Sequence, residues 1–208
     1  MANTYSPFGF VQWGTTNGAT PNFMQDGTTP WKISAGNSTS IFFGDLVMVS
    51  APTTSGYLTQ YASAATSGAN ATTTSLVGVF YGCRYYSTGQ RKTVWNNFWP
   101  GTDATGDVEA FVCTDPNAIF MVQVSGGPFN FTSIGANVEI GATTSGNTVT
   151  GLSGMFVASA GTLSTFPMKI INVLSANPPG INGRDPTSAN NYVLVKFNNQ
   201  IMNANVGI

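Results

Sequence analysis

The chain has 208 residues, of which 42% are hydrophobic and only 7% charged, with a net charge of −1; an ordinary globular domain carries about 25% charged residues. Seven basic residues spread from Lys32 to Lys196 form no patch able to neutralise a run of phosphates, which argues against nucleic acid as a partner. No apolar run approaches the roughly 20 residues that span a bilayer, so no membrane partner is expected either. The opening MANTYSPFGF lacks a basic region followed by an apolar stretch, so no secretory signal is expected and the place of synthesis is a cytoplasm.

In chain order, the first forty residues carry three prolines, with Tyr5, Phe8, Phe10, Trp13, Phe23 and Trp31 spaced among Gly, Thr and Asn. Proline removes a ladder donor and restricts its predecessor, so long strands are not expected here, yet the segment is too aromatic to be a solvated tail. Residues 1–39 therefore read as an extended N-terminal arm, lying either on the protein's own body or on a neighbouring subunit. Those six aromatics are the candidate partner-binding residues.

The core is expected over residues 40–208. Strands are predicted at 40–43 and 46–50, then at 56–61, followed by an Ala/Ser/Thr/Gly loop over 62–74. A long strand over 76–86 turns at 87–90 and pairs back through 91–95 as a hairpin. Its glycines mark bulges or close backbone approach. Further strands are predicted at 108–113, 119–124, 138–140, 155–157, 168–174 and 192–197, with an irregular proline-rich loop at 177–186. About ten closely spaced strands without a helical repeat predict an all-β fold, an antiparallel barrel or sandwich.

The residues of chemistry are few. With no histidine, neither a serine-type triad nor an imidazole-assisted cysteine is available, and two cysteines alone cannot build the usual zinc shell. Cys83 and Cys113 both sit in apolar strand-like runs and read as buried thiols, able to pair only if their strands are neighbours. Asp107 and Glu109 fall on one face of a predicted strand, the arrangement a glycosidase would need, but a solvated outer face is the expected reading. Asp103 and Asp107 lack the spacing of a calcium loop. No catalytic residue, cofactor or metal is expected. The aromatics from Tyr81 to Trp99 are read chiefly as core, then as a subunit interface, and least as a ligand-stacking platform.

Three stretches carry a likeness. GVFYGCRYY at 78–86 followed by WNNFWP at 95–100, the turn DPNAIF at 115–120 between two strands, and FFGDLV at 42–47 together resemble tailed-bacteriophage structural proteins that decorate or cement the capsid. The resemblance covers residues 40–125. It implies an all-β subunit on the exterior of an icosahedral virion, assembled in the host cytoplasm. The implied partners are the major capsid protein and copies of itself, as a trimer rather than a dimer. It carries over no catalytic residue, and the chain is expected not to be an enzyme. The rival expectation is a carbohydrate- or receptor-binding module of a head or tail fibre. That rival requires Trp95 or Trp99 exposed, where the capsid reading expects them buried. A third, a glycan-degrading enzyme, requires Asp107 and Glu109 to face a groove.

Overall fold

A computed structural model describes residues 2–16, 31–50, 56–61, 76–142, 146–161, 164, 166–175 and 183–202. Period-two alternation of apolar side chains is realised as twelve strands: β1 (Val11–Thr15), β2 (Trp31–Ile33), β3 (Leu46–Val49), β4 (Leu58–Gln60), β5 (Leu76–Ser87), β6 (Lys92–Asn96), β7 (Val108–Cys113), β8 (Ala118–Gln123), β9 (Asn137–Ala142), β10 (Met155–Gly161), β11 (Met168–Val173) and β12 (Tyr192–Phe197). The described residues contain no α-helix, and only one turn of 3₁₀ helix at Phe131–Ser133.

The strands form two antiparallel sheets packed as a β-sandwich. The first has the order β1-β8-β12-β11-β9-β10 and the second β2-β7-β5-β3-β4, with β6, off this path, paired among the described residues to β5 alone. Two edge strands come from the segment expected to be a separate arm. β1 pairs with β8, β2 pairs with β7, and Phe10 is fully buried. The described part of residues 1–39 thus lies on the protein's own body, one of the two placements expected, and does so as edge strands: extended aromatic chain next to an open sheet edge gains ladder hydrogen bonds as well as burial. Side-chain amides hold the first residues in place. Gln123, itself fully buried, accepts from the Ser6 N–H at 2.8 Å and donates to the Thr4 carbonyl at 2.9 Å. Asn3 donates to the Asp185 and Ala189 carbonyls and accepts from the Gly183 N–H at 2.8 Å. The loop expected over 62–74 and residues 177–182 of the loop expected over 177–186 lie outside the described residues.

The second sheet is buried on both faces along part of its length. Towards the first sheet, Leu46, Leu76, Val79 and Cys113 join Phe120, Val122, Val157, Val193 and their neighbours in one core. Away from it, Val47, Val77, Phe80, Cys83, Tyr85 and Val112 pack under Ile41 and Trp99, which pair backbone to backbone across the cover. Trp99 has no exposed surface, stands edge-on to Tyr85 at 5.2 Å and donates its indole N–H to the Asn37 carbonyl at 3.1 Å. Gly78 allows a close approach: a Cβ there would sit 2.1 Å from the Cys113 carbonyl oxygen.

Asp45 ties the layers together. Its buried carboxylate accepts from the Phe42 N–H at 2.8 Å, the Gln60 amide at 2.8 Å and the Ser153 hydroxyl at 2.5 Å. Ser153 precedes β10 of the opposite sheet, and its own N–H donates to the Phe43 carbonyl. Burial is the dominant effect and pushes the Asp45 carboxyl up from 3.8 to about 6, against the lowering effect of the three donors.

Two measurements check this packing. Because the folded state holds the Asp45 proton more tightly than the unfolded chain, the protein gains stability as pH falls from above 6 towards 4. A shift of about two units corresponds to roughly 3 kcal/mol. Denaturant unfolding across that window reads the gain, and Asp45→Asn, whose amide can donate to Ser153 while its oxygen accepts from Phe42 and Gln60, flattens it. Separately, Gly78→Ala is expected to cost about 1–3 kcal/mol through overpacking, and Trp99→Ala about 3–5 kcal/mol, both read as lowered midpoints at unchanged slope.

Candidate binding surface

β5 is twelve residues long, and only its first half faces the first sheet. Past Tyr81 the face that looked into the sandwich contributes nothing to that core, while the opposite face continues to bury Cys83 and Tyr85. The sheet therefore overhangs. On the overhang, register places four side chains in one cross-strand row: Trp95 on β6 opposite Arg84 on β5, Arg84 opposite Glu109 on β7, and Glu109 opposite Lys32 on β2.

The row is locked by its own contacts. The Arg84 guanidinium donates through Nε to Glu109 Oε2 at 2.7 Å, with Nη2 at 2.5 Å from the same oxygen. Its Cζ lies 5.2 Å from the centroid of the Trp95 ring. Phe111 stands opposite Gly82 and stacks on Trp95 at 5.2 Å with an interplanar angle of 6°. At the end of the row Lys32 and the Tyr57 hydroxyl both approach Asp107, at 3.6 and 3.0 Å. The exposed ion pairs contribute little stability, about 0–1 kcal/mol each, but they fix rotamers. Trp95 remains 68% exposed and Tyr86 51%.

The residues singled out from sequence do not gather into one surface. Phe10 is core, edge-on to Phe120; Phe8 is half-buried against Tyr192 at 5.3 Å; Trp31 is half-buried on β2. Tyr5 and Trp13 are exposed, Tyr5 edge-on to Phe156 and Trp13 beneath Arg184 at 5.9 Å. Phe23 lies outside the described residues. Of the two tryptophans that separate the functional expectations, Trp99 is buried and Trp95 exposed, which meets the rival's requirement of one exposed tryptophan and departs from the capsid reading's expectation that both are buried. Glu109 lies on β7 and Asp107 just before it, each already engaged by a cation. Asp103 belongs to another network, accepting from Ser87, Thr88 and the Gly89 N–H. Among the described residues no three potential metal ligands cluster.

Both cysteines are free and buried. Their strands are neighbours, but Val79 and not Cys83 stands opposite Cys113, and the two thiols fall in different cores on opposite faces of the sheet. Burial pushes Cys83 up to about 12 and Cys113 to about 11.

Sequence reasoning missed the row because it treated Tyr81–Trp99 mainly as core. The available signal was parity: in KTVWN at 92–96, Trp95 shares a face with Thr93 and alternates with Val94. Comparison with known families, curated proteins and solved structures finds no match for this chain.

Trp95→Ala is expected to change stability by less than about 1 kcal/mol, since it removes one exposed stacking pair. Thiol titration at pH 8 is expected to find neither cysteine reactive in the folded protein and two after denaturation; a fast-reacting thiol in the native state contradicts the packing described.

Proposed function

We propose that this protein is a structural virion subunit that binds the outside of an icosahedral phage shell and stabilises contacts between its capsomers. The observation that carries the proposal is the exposed Trp95–Arg84–Glu109 row with Phe111 stacked beside it, set on a sheet whose other face is fully packed. Tryptophan, tyrosine and arginine are the residues that dominate protein–protein interfaces, and rigid ones lose little entropy on docking. A chain with only 7% charged residues and a net charge of −1 favours association over dispersal in solution. The region of the resemblance, residues 40–125, contains β3 to β8, among them the β5, β6 and β7 that carry Arg84, Trp95 and Glu109. On this reading the partners are the major capsid protein and further copies of the chain, as a trimer, and the working location is the capsid exterior. Bridging several capsomers through modest contacts per oligomer gives avidity without one tight site.

One observation favours a second reading, a carbohydrate- or receptor-binding module: the open ring of Trp95 is of the kind that stacks on a sugar. Co-sedimentation with undecorated shells of the source phage separates the two. The proposal expects saturable binding and a higher shell melting temperature. Absence of shell binding, with retained affinity on a glycan array that is lost in Trp95→Ala, would transfer the assignment to the second reading.

A further inference from the structure

β6 pairs with β5 and with no other strand among the described residues, so one of its long edges is unladdered. A groove of about 490 Å³ runs along it, walled by Tyr85, Gln90 and every residue of β6 from Lys92 to Asn96. A groove whose wall is one whole edge strand is the geometry that strand addition requires. Backbone N–H and C=O groups supply binding, and alternate side chains supply selectivity.

The charge beside the groove is net positive, two unpaired cations against one carboxylate among the described residues. Arg84 and Lys32 are paired with Glu109 and Asp107. Arg91 and Lys92, at the turn that opens the groove, are exposed and have no ion-pair partner among the described residues. The one carboxylate at that turn, Asp103, is occupied by Ser87, Thr88 and the Gly89 N–H. At the other end of β6 stands Trp95, an apolar plate 68% exposed.

We infer that the free edge of β6 takes up an extended, acidic segment of a partner protein as an added strand, with its carboxylates against Arg91 and Lys92 and an apolar side chain on Trp95. The inference deepens the proposed function by naming the contact, and it rests on the reading that the chain works by binding other protein subunits. An oligonucleotide fits less well: two adjacent cations neutralise few phosphates, and nucleic acid offers no strand to complete a ladder.

The test has two arms, both with the full chain. In the first, an acetylated eight-residue peptide alternating Glu and Val is added, with a Lys/Val peptide as control, and backbone amide exchange is followed residue by residue. Slowed exchange at residues 92–96, at least tenfold preference for the acidic peptide, and loss of that preference in an Arg91→Glu/Lys92→Glu variant are expected. Equal binding of both peptides, or protection that spares residues 92–96, overturns the inference. In the second arm the same variant and Trp95→Ala are sedimented with undecorated shells at low and high salt. At least tenfold weaker shell binding than the unaltered chain is expected. Undiminished binding overturns the groove as the contact and leaves the capsid function standing. If the unaltered chain does not bind shells, the capsid function falls, and the peptide arm decides the groove alone.

Discussion

A carboxylate taken out of water is tolerated only where donors surround it, and Asp45 collects three of them from three separate parts of the chain. One is its own turn, through Phe42. One is β4, through Gln60. The third is Ser153, on the loop that feeds β10 in the facing sheet. The backbone around it extends the same tie: Gly44 donates to the Phe80 carbonyl, Phe80 donates to the Asp45 carbonyl, and Phe10 donates to the Gly44 carbonyl. The N-terminal strand, the middle of β5 and the opposite sheet therefore meet at one point.

That point sets how far the sheets overlap. It lies at the level of Phe80, less than halfway along a twelve-residue strand. Up to there the second sheet is covered on both faces; beyond it, one face stays covered by Ile41 and Trp99 while the other has no sheet above it. The aromatic residues divide accordingly. Tyr85 and Trp99 lie on the covered face and fill a core. Trp95, Phe111 and Tyr86 lie on the open face and form a surface, stiffened by the Arg84–Glu109 pair. The presence of a binding surface and the rigidity of its support thus follow from one offset between two sheets.

Much of this architecture was legible in the sequence. The strands from β3 to β12 follow runs of Val, Ile, Phe and Tyr bounded by Gly, Pro and Asn, and the β5–β6 hairpin follows the turn at 87–90. The glycines of β5 mark what they were expected to mark: close approach at Gly78 and a register shift ending at Gly82. β1 and β2 were not legible, because edge strands of five and three residues take their stability from a neighbour's ladder rather than from their own pattern. The binding row was illegible for a related reason. Arg84, Trp95, Glu109 and Lys32 are scattered over 78 positions, and only pairing register brings them into line. Asp45 was visible within FFGDLV, but nothing local announces that Gln60 and Ser153 converge on it.

The offset rests on a desolvated carboxylate, and its ionisation reports directly whether the tie exists in solution. Carbon-13 chemical shifts of the aspartate side-chain carboxyls, followed from pH 3 to 8, resolve each group separately. A midpoint near 6 for Asp45 is the predicted result. A midpoint near that of a solvated aspartate, about 3.9, would mean that Asp45 is open to water, and would contradict the sheet offset and the exposed row that depends on it.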